Sequence, residues 1–342
     1  MSTLQTATAS HHGVSDEAAA QSASLALPTA LRYDKRALSK AALDDINALN
    51  GAAPAAFTWQ LIGSWVVIAL AWAAAIYSSS PVVYVVAAVI VATRMNILGL
   101  LVHDQAHLCG YRGRWGDTVV NLLAGYPLLG LTVETYAQIH LAHHRDYFGK
   151  TDPDFARKSG RDWTFPMPAG RLASLLLKDL LGLSVISLFK GKAAAIEYQE
   201  FKRPNATPKW VRPAFLVSLA IALTLLHAWF YFAVLWVLPL LTVMSAIVRW
   251  GAICEHVYGK PNDTIESSTP LILPGPIARV LLPNLNFTLH PYHHWHPGIP
   301  FSALPKVHEI YQKEGLVIQE NVFNGYPSYW RFLTDMSRGK IN

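Results

Sequence analysis

Two long apolar runs, back to back, begin the patterned part of the chain. Phe57 to Tyr77 is 21 residues without a formal charge. As a helix it would reach about 30 Å, the thickness of the bilayer hydrocarbon. Ser78-Ser79-Ser80-Pro81 reads as a tight turn, and Val82 to Val102 returns over the same distance, interrupted only by Arg94. The pair predicts a transmembrane hairpin. Pro213 to Val248 is 36 residues without a formal charge, too long for one crossing. It predicts two spans, about 213–230 and 232–250, turning near Trp229–Pro239. Asp117 to Tyr136 is apolar but contains Gly125, Pro127, Gly130 and Glu134, which suits a re-entrant or surface segment. Leu172 to Phe189 carries Lys178 and Asp179 and predicts an amphipathic helix lying in the interface. Arg32 to Asn50 predicts a short polar helix, broken by Gly51 and Pro54. Residues 1–30, rich in Ala, Ser and Thr, read as a disordered tail with no secretory signal. From Arg249 onward the chain is polar and proline-punctuated, as in a soluble protein. The expected fold is all-α and integral to the membrane. About four transmembrane helices would carry a cap made of residues 103–212 and 251–342. Residues 1–50 would precede this single membrane domain of 51–342.

Composition supports the membrane reading. Only 15% of the 342 residues are charged, against about 25% in soluble domains. The two cysteines, Cys109 and Cys254, cannot build a disulfide framework and imply no oxidising compartment. Both read as small core residues. The net charge of +6 is modest, and no nucleic-acid partner is expected. Its distribution carries more. Fifteen Lys and Arg lie between Val102 and Pro213, four precede the first span, eight lie from Arg249 to the end, and the outer turns have none. The positive-inside rule then predicts both termini and the central loop in the cytoplasm.

Histidines cluster at the ends of the apolar runs. His103 and His107 frame His-Asp-Gln-Ala-His. His140, His143 and His144 form His-Leu-Ala-His-His, and His290, His293 and His294 form His-Pro-Tyr-His-His. Positions i and i+4, or i and i+3, share a helix face, so each group can aim at one ion. Neutral imidazole suits iron, copper, zinc and nickel. Eight such side chains exceed the needs of one ion. Four or five per ion, with an open position for oxygen, fits two ions of a redox-active metal. The charge pattern places all three groups on the cytoplasmic side without any assumption about metal. A single His-x-x-x-His arises by chance, and a lone buried histidine is more often a hydrogen-bonded core residue. Three groups on one membrane face, two with identical spacing, argue against coincidence. His11, His12, His227, His296 and His308 take the ordinary reading, His227 as a locally bonded residue within a span.

These boxes resemble those of the integral-membrane fatty acid desaturase and hydroxylase superfamily, over roughly Arg94 to His308. The resemblance extends to Arg94, Asp152-Pro153-Asp154, Arg249, Glu255-His256, Asn286 and His-His-Trp-His-Pro-Gly-Ile-Pro. It implies two non-haem irons held by the eight box histidines with His256 as a ninth ligand. It implies that Asn286 contacts one iron directly or through water, and that Asp104, Asp152 and Glu255 accept hydrogen bonds from ligating histidines, an arrangement that fixes their tautomers. Arg145 or Arg249 could pair with those acids. Further implied are O2 as co-substrate, a fatty acyl or similar lipid chain as substrate, and an external electron donor such as ferredoxin, rubredoxin or cytochrome b5 with its reductase. No fused electron-carrier domain is visible.

Desaturation ranks first among the outcomes the boxes allow. Hydroxylation or another monooxygenation, and alkene-forming decarboxylation, use the same scaffold. Two rivals come from other classes. An intramembrane zinc protease needs His-Glu-x-x-His, whereas Asp104 stands at that position and six histidines go unexplained. A non-catalytic metal-binding or transport protein would favour polar residues inside the spans, and residues 57–77 and 213–248 offer almost none. Trp65, Trp72, Trp229 and Trp236 suit either an interfacial belt or tunnel walls. Asp152, Arg157, Lys158 and Arg161 lie where a head group could dock, or in a solvated loop.

Overall fold

The structure, a computed structural model, describes residues 27–31, 37–184 and 203–339. The expected tail lies outside the described residues up to residue 26. Residues 27–31 do not behave as a tail. Leu27, Ala30 and Leu31 are buried, and Ile318 N–H donates to the Ala30 carbonyl at 2.8 Å. The described residues are helical, with isolated bridges in place of strands.

Helix α1 is Lys40–Ala48, begun by Ser39, whose hydroxyl accepts from Ala42 N–H. Helices α2 (Pro54–Ser78) and α3 (Pro81–Ala106) form the hairpin. Proline opens both, where its missing N–H costs nothing, and Ser79 turns the chain at φ 51°. The helix α3 is the central one. Val91, Met95, Leu98, Leu101 and Val102 are fully enclosed, while the outward faces of α2 and α3 expose Val66, Leu70, Val82 and Val85. Apolar surface of this extent marks a membrane or protein contact, and both helices are long and apolar enough to cross a bilayer.

The third long helix, α7 (Trp229–Glu255), is likewise apolar enough to cross. The expected span 213–230 is instead α6 (Val211–Leu225), of 15 residues, about 22 Å at helical rise and short of the hydrocarbon thickness. Among the described residues, three helices are long and apolar enough to cross a membrane by length and composition, α6 being shorter. The turn between α6 and α7 falls at Leu226–Ala228, ahead of the expected place. His227 is not inside a span. It makes the turn at φ 51°, in the left-handed region that histidine tolerates better than most side chains.

Trp65, Trp72 and Trp236 prove to be packing residues between α2 and α7. Trp65 stacks on Trp236 at 5.5 Å, Trp72 meets it edge-on at 6.4 Å, and Trp236 Nε1–H donates to the Pro127 carbonyl at 2.7 Å. Trp229 is half exposed, as a belt residue would be.

The 117–136 segment packs beside the end of α3. Short helical turns run from Gly116 to Leu128, and a Cβ on Gly125 would lie 2.8 Å from the Leu131 carbonyl oxygen. Helix α4 is Val133–Arg145, capped by Thr132. Helix α5 (Ala169–Leu180) buries Leu172 and Leu175 and exposes Leu177 and Leu180, in keeping with an amphipathic helix; residues 185–189 of the expected element lie outside the described residues. Its Asp179 pairs with Arg249 of α7. Arg249 therefore does not serve the acids of the boxes, and Arg145 pairs instead with Asp146. The remainder adds α8 (His290–Trp295), α9 (Leu304–Lys313) and α10 (Tyr326–Thr334). Gly51 N–H donates to the Gly298 carbonyl at 2.9 Å, which ties the chain after the third box to the entrance of α2.

Candidate metal centre

Each histidine group is placed by the end of a helix. His103 sits in the last turn of α3, and His107 is the residue that ends it. His140, His143 and His144 occupy the last two turns of α4. His290, His293 and His294 make up half of the six-residue α8. His256 follows α7 directly, in extended backbone. Seven of the nine are buried, and His107 and His144 are partly so.

The nine fall into two clusters. His103, His107, His140 and His293 form one, their ligand atoms all within 4.8 Å of one another. His144 joins it, with Nε2 at 3.0 Å from His140 Nε2 and 3.1 Å from His293 Nε2. His143, His256 and His294 form the second on the same criterion. His290 joins that one through Nε2 distances of 3.1 Å to His256 and 3.2 Å to His294. The clusters touch where the His144 and His294 rings stack at 4.2 Å.

Those separations fit a shared cation. Two nitrogens held about 2.1 Å from one ion lie roughly 3.0–3.4 Å apart for ordinary coordination angles. Hydrogen bonding does not account for them. His256 Nε2 faces His143, His290 and His294 at 3.2, 3.1 and 3.2 Å, and one ring N–H donates once. His103 and His107 Nε2 are enclosed without a hydrogen-bond partner, a state costing about 1–3 kcal/mol per group. A metal ion removes both difficulties, so the residues present fit one.

Electrostatics favour the ligating form. Burial, reinforced by neighbouring histidines, holds His140, His144, His290, His293 and His294 well below the usual imidazole range. His256 is lowered in the same way. Burial, and then Arg203, push His107 down to about 3. Neutral rings keep a lone pair for an ion.

Outer partners orient two rings of the second cluster. His143 Nδ1 lies 2.8 Å from Asp152 Oδ2, so Nδ1–H donates and the lone pair stays on Nε2. Asp152 is itself fixed by N–H donors from Phe148, Asp154 and Phe155 at 2.8–3.1 Å. The expected role of Asp152 toward a histidine therefore has a geometry, and as a buried residue it does not face a head group. We expect Asp152→Asn to lower metal affinity at the second cluster about 10- to 100-fold, measured by metal titration of the purified protein; unchanged affinity would contradict the role.

The other expected acids differ. Asp104 Oδ1 accepts from Phe301 N–H at 3.2 Å, while Oδ2 has no partner. It anchors the chain beyond the third box rather than a ring. Glu255 lines an apolar slot and makes no hydrogen bond to a histidine among the described residues. Asn286 donates from its amide to the Phe301 carbonyl at 3.2 Å. Arg157 and Lys158 pair with Asp154.

Two contributors carry no signal in the sequence. Tyr147 places its hydroxyl 3.2 Å from His256 Nδ1, held by Ser268 at 2.6 Å and Thr269 at 3.0 Å. Arg203 donates to the carbonyls of Gln105 and Ala106, each at 2.7 Å, and pairs with Asp117. It thereby caps α3 between the two histidines of the first box.

A membrane-embedded, all-helical protein with two adjoining histidine clusters defines the class. Residues 79–320 match the fatty acid desaturase family, a stretch that holds all nine histidines. The chain belongs to that family, and so is a membrane oxidoreductase of the desaturase and hydroxylase type with a lipid substrate. No curated protein matches it.

Proposed function

We propose that the chain is an O2-dependent fatty acid desaturase in which the nine clustered histidines hold two irons. One ion would be held by His103, His107, His140, His144 and His293, the other by His143, His256, His290 and His294. The observation that carries this is the convergence of Nε2 atoms at 3.0–3.4 Å in two groups. Bound there, the irons supply reductive activation of dioxygen and removal of hydrogen from an unactivated C–H bond, with electrons from an external carrier such as ferredoxin, rubredoxin or cytochrome b5.

The chain's own residues hold and shield the site. Asp152 and Tyr147 orient His143 and His256. Phe287 packs its ring 4.4 Å from His103 and 5.4 Å from His293, closing that side to water. Trp250, Leu282 and Phe287, with the polar Asn96, Glu255 and Thr288, line a narrow slot of about 30 Å³ beside this wall. Asp104, at the position of a zinc protease's glutamate, is engaged by Phe301.

Connectivity supports one membrane arrangement. Thr207 N–H donates to Glu134, and Arg203 to the last carbonyls of α3, so this part of the chain lies on the side of the centre. His256, at the far end of α7, lies there too. A crossing by α6, with its turn at the opposite end of α7, is consistent with both ends of this stretch lying on one side. We therefore assign four crossings, α6 being the short one, with the centre and both termini on the cytoplasmic side that the lysines and arginines favour.

Metal analysis of the purified protein tests the centre, with about two irons per chain expected; a single zinc would overturn it. Mass spectrometry of lipids and volatile hydrocarbons from expressing cells tests the reaction, with a product lighter by two hydrogens expected. Gain of oxygen or loss of a carbon would replace desaturation with hydroxylation or decarboxylation.

A further inference from the structure

A second cavity adjoins the slot and plays no part in holding the centre. Its volume is about 330 Å³, at the small end of the roughly 300–1,000 Å³ usual for ligand sites. Asn284 and Thr288 line both spaces, so the chamber and the apolar slot share a wall. Three polar side chains of the chamber carry the argument. His308 is 8% exposed, and its Nε2 has no hydrogen-bond partner. Its Nδ1 lies 2.7 Å from the Tyr292 hydroxyl. With that hydroxyl donating, Nε2 carries the ring proton and is a free donor. Arg279 uses Nε–H on the Pro274 carbonyl at 3.0 Å and forms no ion pair among the described residues, which leaves its Nη groups for a ligand. Asn286 completes the set. Glu309, exposed on the same wall, is the one acid lining the chamber among the described residues.

The surface around the chamber points to lipid. Arg279 lies on the short helix Pro276–Leu281, where Ile277, Val280 and Leu281 are 76%, 72% and 63% exposed. A helix that turns three aliphatic side chains outward while its arginine lines a polar chamber suits the level of lipid head groups.

Building on the lipid oxidoreductase reading above, we infer that this chamber seats the anionic head group of the substrate, a carboxylate or a phosphate. Arg279 and His308 recognise the head group, and Asn284 and Thr288 form the wall between it and the slot. A chamber of this volume holds a head group and a few carbons rather than a nucleotide-sized carrier.

Binding of radiolabelled palmitic acid and hexadecanol to the purified full-length protein, prepared without added iron, tests this. The acid is expected to bind about tenfold or more tightly than the alcohol. Arg279→Gln should bring the two within about twofold, and Arg279→Lys should keep most of the preference. Equal affinities in the unaltered protein, or a preference that survives Arg279→Gln, would overturn the inference. Displacement of palmitic acid by phosphatidic acid but not phosphatidylcholine assigns the chamber to phosphate lipids. No displacement by either assigns it to free fatty acids. The assay needs no metal, so its failure leaves the di-iron reading standing, and absence of iron leaves the head-group preference intact.

Discussion

Replacing His256 by alanine should abolish product and cost the protein about one of two irons, while membrane insertion is unchanged. His256 stands outside the three boxes, yet its Nε2 is the hub of the second cluster, 3.1–3.2 Å from those of His143, His290 and His294. Its removal leaves three rings around a space shaped for a fourth. It also strands Tyr147, which now spans His256, Ser268 and Thr269. Losing a ligand should exceed the roughly 10- to 100-fold typical of losing an outer partner such as Asp152. Iron per chain and product per cell are the measurements. Size-exclusion profiles in detergent would separate metal loss from misfolding. Full iron and full product in a well-folded His256→Ala protein would remove His256 from the ligand set and place the second ion, if any, on three histidines.

Much of the centre was legible in the sequence because coordination leaves a periodic trace. His140 and His144, or His290 and His294, are four apart because a helix repeats near that interval, and the residues that share an ion must share a face. The hairpin was legible for a similar reason: lipid tolerates few charges, so a span is a long silence in the charge pattern. What escaped depends on distance in the chain. Tyr147 serves a histidine 109 residues away, and Arg203 serves carbonyls 97 and 98 residues back; no local pattern records either. Charge alone also misled. Arg249 stands two helical turns before His256, yet it is drawn to Asp179, an acid on a helix whose approach the sequence does not record. The 36-residue apolar run fixed two segments but not the turn between them, because His227 carries no formal charge and lies where no proline or glycine marks a break.

Arg203→Ala should destabilise the fold by about 3–5 kcal/mol, because it breaks one side of a buried ion pair. Asp117 is 1% exposed and takes Arg203 Nε–H at 2.7 Å and Nη2–H at 2.9 Å. Gln105 Nε2–H donates to the same carboxylate at 2.8 Å. Without the guanidinium, that carboxylate stays buried beside one neutral donor, and the Gln105 and Ala106 carbonyls at the end of α3 lose their charged partner. The end of α3 is also where His103 and His107 are set, so the damage reaches the first cluster. A double substitution separates the two effects. Arg203→Met with Asp117→Leu removes both charges and should recover much of the thermal stability lost by Arg203→Met alone, since an apolar pair of similar volume often replaces a buried ion pair without penalty. Iron content should not recover with it, because the carbonyls flanking the first box remain uncapped. Thermal unfolding in detergent and iron per chain give the two readings. A stable Arg203→Ala protein would show that the pair contributes nothing to holding α3. A double variant that regains stability and iron together would show that Arg203 matters to the fold alone, and that the first box keeps its geometry without the cap.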